Sequence, residues 1–461
     1  MGNAAAREHA VVLGASMAGL LAATALAEHY WQVTVVDRDT LDPDPQRPRR
    51  GVPHGGHIHA LPARGQQALD ELLPGLTGEL TSRGAPLGDQ LGDARLCFGG
   101  HRTVRVTSGL PLLCASRPLV EDTIRSRVAR ISGVDIVPRC DVVELLTSAD
   151  LRRVTGVRVR REGAEQAMPA ALVVDATGRG SRIPTWLAAQ GLPAPAEDRV
   201  KIGLGYATRT YRARPGGLAG DLGILLAPAP PAGRGGVLQV LEGDRWMVTL
   251  MGVLGDHPPT DPAGFAEFAA SLPGPDIHDM IAGAQPLDDP VPFRFPAGVR
   301  RRYERLARFP DGLLVLGDAF CSLNPIYGHG MTVAALQALE LRELLRHGRP
   351  PRPRVFHRRA ARIVDGPWEM AAGGDLAFPG AEGHRTRKIR MINAYVGRMQ
   401  AAAAADGEVA TAFFRVAALV DPPQALLRPR IALRVLRGGR GTPVAQPAVS
   451  PPAVPDRHPS W

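Results

Sequence analysis

The chain has 461 residues, 44% apolar and 22% charged, the balance of an ordinary soluble protein with enough length for two or three cores. Its net charge of +10 rests on arginine, with Lys201 and Lys388 the two lysines. The arginines are scattered rather than gathered on one aromatic-interleaved face, which argues against a nucleic-acid partner.

In chain order, residues 9–13 form a short apolar strand, 14–19 a tight turn and 20–29 an Ala/Leu-rich helix. A β-branched strand at 33–36 ends at Asp37 and completes a βαβ unit. A Pro/Arg loop at 42–53 is expected to be exposed, and helical spacing returns at 63–73. Residues 94–98 and 101–106 flank Gly99-Gly100 as a hairpin; 118–130 reads as helix and 134–138 as strand. Residues 154–160 alternate like a half-buried strand, and 171–175 form a buried one. Strand-like runs crowd 200–255, including 237–241 and 246–253, as in a sheet inserted between nucleotide-binding segments. A buried strand at 312–316 precedes a long amphipathic helix at 331–346. Beyond about residue 353 the pattern is mostly helical; the basic, apolar stretch 426–437 reads as a docked helix, and the Pro/Gly-rich 438–461 as a disordered tail. No apolar run is long enough to span a bilayer, and the first ten residues lack the features of a secretory leader. Cys97, Cys114, Cys140 and Cys321 form no CxxC pair, so a cytoplasmic protein with reduced thiols and no stable membrane insertion is expected.

Two glycine-rich turns carry the chemistry. The first, Gly14-Ala15-Ser16-Met17-Ala18-Gly19, joins the first strand to the first helix. Glycine is needed where the chain bends sharply and where helix presses on strand, and the helix N-terminus directs N–H groups and positive potential at a pyrophosphate. Ser16 stands at the middle glycine position of G-x-G-x-x-G and is small enough for close approach. Asp37, ending the next strand, can accept both hydroxyls of an adenosine ribose. The second turn is Gly317-Asp318-Ala319 followed by Asn324-Pro325-Ile326-Tyr327-Gly328-His329-Gly330-Met331, between a buried strand and the long helix. An acid at a strand end and amides at a helix N-terminus suit an anion such as a reduced flavin ring. Two such joints, about three hundred residues apart, weaken a purely structural reading of either.

With these motifs the sequence resembles the FAD-dependent monooxygenases of the aromatic-hydroxylase class, most of all the bacterial epoxidases and hydroxylases of secondary metabolism, polyether epoxidases included. The matching stretches are GASMAGL (14–20), VVDRD (35–39), RRGVPHGGHIHAL (49–61), VDATGRGSR (174–182) and LGDAFCSLNPIYGHGMT (316–332), in order over roughly the first 335 residues. The resemblance implies an α/β fold: a doubly wound, Rossmann-like FAD-binding domain (1–84, 111–199 and 296–346), an inserted mixed β-sheet as substrate lobe (85–110 and 200–295) and a helical C-terminal region (347–437). It implies FAD held at Gly14, Ser16, Met17, Ala18 and Gly19, with Asp37 and Arg38 at the adenosine end. Asp318 would bond the ribityl chain, Pro325 would lie beside the flavin ring, and Gly328, His329, Gly330 and Met331 would present amides to its pyrimidine edge. Arg117, in CASRPLVEDTI, matches an FAD-contacting arginine. The implied activity is oxygenation: NADPH or NADH reduces FAD, O₂ gives a flavin peroxide, and one oxygen atom passes to a small lipophilic secondary metabolite, as in antibiotic biosynthesis.

Tyr206, Trp246 and Met251 in the inserted sheet, and Tyr327, are the candidates to line the substrate. No side chain is nominated as catalyst, because the cofactor carries the chemistry; the lack of an evident base tilts the expectation toward alkene epoxidation over phenol hydroxylation. Two departures from the family stand out. His54-Gly55-Gly56-His57 replaces a Gln-x-Arg-His, removing an arginine near the flavin. Thr177-Gly178 replaces an Asp-Gly pair, with Asp175 displaced by two, which keeps a separate reductase open as the electron donor. No metal is expected at His54, His57 and His59, which lack further ligands nearby. The alternatives are a flavin dehydrogenase or reductase that does not use O₂, and a non-catalytic flavoprotein; a halogenase is disfavoured because no WxWxIP segment occurs.

Overall fold

The strands that organise the chain are short and almost wholly apolar. Val11, Val12, Val33, Val35, Val173 and Val174 are all buried, as β-branched residues are in a parallel sheet covered on both faces. The computed structural model describes residues 9–41, 48–346, 348 and 350–438. Five parallel strands form the central sheet, in the order Leu313–Val315, Leu172–Asp175, His9–Leu13, Gln32–Val36, Val134–Val137. The chain therefore starts at the middle strand, builds one side, then crosses to the other. A ligand site is expected where that order reverses, beyond the carboxyl ends of the strands. The first helix, Met17–Ala27, is apolar nearly all round because it is enclosed by the sheet and by the helices Arg117–Val128 and Gly330–Leu345.

The second sheet has eight strands, ordered Cys321–Ser322, Val291–Arg301, Glu197–Arg212, Arg245–Gly252, Arg234–Leu241, Gly223–Leu226, Ala94–Phe98, His101–Arg102. It is mixed, as expected: Gly223–Leu226 pairs with Ala94–Phe98 in parallel and the other neighbours are antiparallel. Alternation divides its side chains cleanly. Ala207, Tyr211, Trp246, Val248 and Leu250 enter a core under Pro262–Ala270 and Asp276–Ile281, where Phe265 and Phe268 meet them. Ile202, Leu204, Tyr206, Met251 and Val253 face the other way, into a core that takes in Ile326 of the second glycine turn.

A three-stranded meander, Cys140–Thr147, Val154–Arg161 and Ala164–Pro169, exceeds the single strand expected there. Its last strand, AEQAMP, has no β-branched or aromatic residue and is extended because a neighbour's backbone offers it a ladder. Beyond 353 the chain is mainly helical, in Pro353–Asp375, Arg387–Ala402, Gly407–Ala417 and Pro429–Gly438. The tail expected from 438 thus begins as a helix end, and 439–461, like 42–47 of the Pro/Arg loop, lie outside the described residues. No helix among the described residues is long and apolar enough to cross a membrane.

Helix Pro353–Asp375 joins the two sheets. Near its start the His357 Nε2 accepts the Val315 N–H at the open edge of the parallel sheet (3.2 Å). Further along, Trp368 lies 3.5 Å from where a Cβ would stand on Gly298 of the inserted sheet. Its last residue, Asp375, reaches the second glycine turn.

Candidate functional site

Gly14 leaves the first strand with φ +100°, held by its N–H donating to the Val36 carbonyl (2.8 Å). A Cβ on Gly14 would stand 2.7 Å from the Ala176 carbonyl oxygen, and one on Gly19 would stand 1.8 Å from the Gly14 carbonyl oxygen. These are the sharp bend and the close helix–strand approach that the spacing predicts. Ser16, Met17 and Ala18 lie at and just inside the start of helix Met17–Ala27, whose first N–H groups face the strand ends.

The second turn is built beside the first. Gly317, at φ +63°, could carry no side chain, because its Cβ would lie 2.7 Å from that of Ala18. Two segments about three hundred residues apart are thus in contact through a glycine and an alanine. Next to Gly317, Asp318 presents a carboxylate that no described residue hydrogen-bonds. Gly178 and Gly330 border this residue: a Cβ on Gly178 would stand 4.0 Å from the Asp318 Cβ, and one on Gly330 4.0 Å from its Oδ1. Burial lifts the Asp318 carboxyl to about 6, against the pull of Arg179, Arg117 and Arg301. After Pro325, Gly328 turns at φ +69° with no atom within 4 Å of where a Cβ would stand, and Gly330 opens the helix Gly330–Leu345. Met331 is buried behind it. The His329 ring points away, its Nε2 at 2.9 Å from the Ala417 carbonyl, so that only its backbone borders the turn.

Asp37 is held by its own surroundings: Oδ2 accepts from the Ala15 N–H (2.6 Å) and Oδ1 from the Asp39 N–H (2.9 Å). Each oxygen keeps a second lone pair for a ribose hydroxyl. Arg38 is exposed. Sequence reasoning missed two neighbours, Arg49 and Glu121. Glu121 Oε2 accepts from Ser16 Oγ (3.0 Å) and Arg117 Nε (3.3 Å), while Oε1 takes Arg49 Nε; Arg117 also donates to Ser16 Oγ (2.9 Å). Arg49 continues the network to Asp39 (3.0 Å) and Asp37 (3.6 Å). Burial works against the Glu121 anion, but Arg117 and Arg49 overcome it and hold the carboxyl below its usual range. The Arg117/Glu121 spacing of four, at the start of the expected helix, was the available signal. Arg49 opens the matching stretch 49–61 but sat in a loop expected to be exposed, whereas its side chain is only 11% exposed.

Removing one member of such a buried network leaves the others uncompensated. Glu121→Ala is expected to destabilise the protein by about 3–5 kcal/mol. The value should fall at the low end, because Arg49 keeps Asp39 while Arg117 loses its carboxylate. The thermal midpoint at saturating FAD checks this; an unchanged midpoint would show that the network contributes nothing.

The sequence VDATGRGSR folds around its own acid. Asp175 accepts from the Thr177 N–H (3.0 Å), Thr177 Oγ1 (2.5 Å) and Ser181 Oγ (2.6 Å), so this carboxylate is committed to the turn. Arg301 fastens the turn to the second motif, donating to the carbonyls of Ala319 (2.9 Å) and Arg179 (3.2 Å).

Facing the second turn is the inserted sheet. His57 Nδ1 lies 2.7 Å from Thr208 Oγ1, which in turn lies 2.7 Å from Thr249 Oγ1. Its ring is 5.2 Å from Phe293 and 5.8 Å from Tyr206. Burial pushes His54 down to about 3 and His57 to about 4, so both are neutral imidazoles. Of the substrate-lining candidates, Tyr206 and Met251 are paired across strands and share this face, with Tyr327 coming from the turn. Trp246 is not brought to them. It is five residues from Met251 and so points through the sheet into the opposite core, against Gly217 and Phe265.

The residues present fit a flavin dinucleotide. Two glycine cradles in contact, an unpartnered carboxylate between them and a positive helix terminus at each match the polyol, pyrophosphate and ring of such a molecule.

No family model matches the chain. Among known sequences, Protein Rv3254 of Mycobacterium tuberculosis (strain ATCC 25618 / H37Rv) is 36% identical over 434 residues, 90% of each chain. Among solved structures, a flavoprotein/dehydrogenase from Cytophaga hutchinsonii superposes with a TM-score of 0.67 at 14% identity, over 94% of this chain and 100% of its own. The flavin-dependent brominase Bmp2 gives 0.60 at 15% identity, over 94% of each. A probable FAD-dependent monooxygenase from Pseudomonas aeruginosa, PqsL, gives 0.59 at 16% identity, over 81% and 99%. The fold is therefore that of the FAD-dependent monooxygenases and related flavoproteins, as the motifs imply. The narrower likeness to polyether epoxidases gains no support from these structures.

Proposed function

Because the chain belongs to the family of the mycobacterial Protein Rv3254 and folds as flavin monooxygenases do, we propose that it is an FAD-dependent monooxygenase acting on a small lipophilic molecule. The observation that carries this is the contact between the two glycine turns, with the free carboxylate of Asp318 beside it and an aromatic sheet face opposite. Bound FAD would supply the electron exchange and oxygen activation. The chain's own residues have simpler duties. Gly14 to Gly19 and the Arg117–Glu121–Arg49 network would hold the dinucleotide, Asp318 would take ribityl hydroxyls, and the amides at 328–331 would serve the ring. Tyr206, Met251 and Phe293 belong to an apolar cluster on the sheet face that would keep water from the reacting centre.

On this reading the segments 1–84, 111–199 and 296–346 serve the cofactor, and 85–110 with 200–295 the substrate, the strand Val291–Arg301 spanning both. The four cysteines, all buried and free, are consistent with a cytoplasmic protein. Halogenation finds no favourable residue: Lys201 is paired with Glu382 (2.7 Å) and Lys388 lies near Glu369 (3.6 Å), both well exposed. Asp175, enclosed by its own turn, is not free to meet a nicotinamide nucleotide, which keeps a separate reductase in view.

The test is NADPH and NADH oxidation with simultaneous oxygen uptake by the FAD-loaded protein, with and without polyenes and phenols. Uptake stimulated by a substrate, with an oxygenated product by mass spectrometry, is expected. If neither nucleotide reduces the flavin, dithionite-reduced protein is mixed with oxygen and substrate. Product then identifies a missing reductase; none in either arm favours a dehydrogenase or a non-catalytic flavoprotein.

A further inference from the structure

Helix Pro353–Asp375 ends against the second glycine turn, and its last residue is a carboxylate with no cation beside it among the described residues. Asp375 is 4% exposed. Asn324 Nδ2 (2.8 Å) and the Tyr327 hydroxyl (3.2 Å) both donate to its Oδ1, and no described residue donates to Oδ2. Gly374 makes the contact possible: a Cβ there would stand 2.1 Å from the Tyr327 hydroxyl oxygen. From the inserted sheet comes Tyr206, near enough that the Asp375 charge, after burial, helps raise its phenol above the usual range. Tyr206 likewise adds to the raised phenol of Tyr327, behind burial and Asp375. Arg385, which follows in the chain, directs its guanidinium to the carbonyls of Leu376, Phe378, Pro379 and Ala381 instead. Among the described residues, the groups facing Asp375 are thus one amide and two phenols.

Burial lifts the Asp375 carboxyl to about 7, against the donors Asn324 and Tyr327. The negative end of its own helix acts in the same direction as burial. A carboxylate that changes charge near neutrality, linked by a hydroxyl to the second glycine turn, is what acid–base chemistry on a bound substrate needs.

We propose that Asp375, acting through the Tyr327 hydroxyl, is the proton acceptor of the substrate site, and that the substrate carries an ionisable hydroxyl, as in a phenol or enol. This rests on the monooxygenase reading and narrows its substrate class. In the step, the substrate O–H bond breaks and its proton passes to the Tyr327 oxygen, while the Tyr327 proton moves to Asp375 Oδ1. The substrate becomes an oxyanion and Asp375 a neutral acid; no electrons are exchanged. The oxyanion makes the adjacent ring or alkene carbon more electron-rich and ready to receive oxygen. Asp375 is therefore a positioning residue with a charge of its own to move, and it supplies the base that the sequence did not reveal.

The experiment uses FAD-loaded wild type, Asp375→Asn and Tyr327→Phe. Asp375→Asn keeps an acceptor for both donors; Tyr327→Phe keeps the ring. With phenol, catechol and 2-naphthol as probes against squalene, wild-type kcat/KM for the phenols should rise with pH through about 7, as the carboxylate forms. In Asp375→Asn that limb should vanish and kcat fall by at least about 100-fold, with KM little changed. Infrared titration gives a readout independent of turnover. In the wild-type minus Asp375→Asn difference, which cancels the Asp318 carboxyl, a carboxylic acid carbonyl band should disappear over the same pH range; in Tyr327→Phe, which loses a donor to the anion, it should titrate at higher pH. A pH limb that persists in Asp375→Asn, or no titrating band, overturns the proposal. If squalene and no phenol stimulates uptake, the substrate class falls and the monooxygenase reading stands. Wild type that retains FAD yet takes up no oxygen with either class overturns that reading instead.

Discussion

Asp318→Ala is expected to weaken FAD binding by about 10- to 150-fold for each ribityl hydrogen bond lost, and to abolish substrate-stimulated oxygen uptake at ordinary FAD concentrations. A hydrogen bond to a charged group contributes about 1.5–3 kcal/mol, and each 1.4 kcal/mol is tenfold in affinity. The effect should be large because no described residue hydrogen-bonds this carboxylate, while Arg179, Arg117 and Arg301 lie near enough to lower its proton affinity against burial. Removing it takes one carboxylate from the field of these arginines, of which Arg117 keeps Glu121 and Arg301 keeps Glu197. The apoprotein should still fold, since no described hydrogen bond depends on the Asp318 side chain. Equilibrium titration of apoprotein with FAD, followed by flavin fluorescence, measures the change. Full flavin occupancy with normal turnover would sink the assignment of the second turn.

Gly14→Val should act on the fold as well as on the cofactor. The φ of +100° excludes a β-branched residue, and the new Cβ would meet the Ala176 carbonyl at 2.7 Å. The left-handed backbone costs about 1–2 kcal/mol and the forced overlap about 1–3 kcal/mol. Their sum is a substantial share of the roughly 5–15 kcal/mol that holds a typical protein together. Yield of soluble protein, thermal midpoint and bound flavin should all fall. Retained stability with lost FAD would mean that the turn yields locally; unaffected FAD affinity would count against it as the pyrophosphate turn.

These two positions were legible because each motif carries its own geometry. A glycine between a β-branched strand and an Ala/Leu helix specifies its bend whatever the rest of the chain does. The same holds for the buried strands and for the hairpin at Gly99-Gly100, which pairs Cys97 with Arg102 as its local pattern predicts. Trp246 shows where local pattern runs out. One-residue alternation says that Trp246 and Met251 lie on opposite faces, but not which face meets the second turn.

The sequence by itself determined the βαβ start, the mixed inserted sheet, both glycine turns and the acid near the start of the second. Those features depend on neighbours a few residues apart, through backbone conformation and hydrophobic period. Tertiary structure alone decided which distant groups meet: Gly317 against Ala18, Arg49 on Glu121, and Asp375 on Asn324 and Tyr327. Nothing around Asp375 in the chain marks it, because its proton affinity comes from burial and from groups brought by another turn and another sheet. Periodicity cannot encode such meetings; packing of the long helix across two sheets creates them.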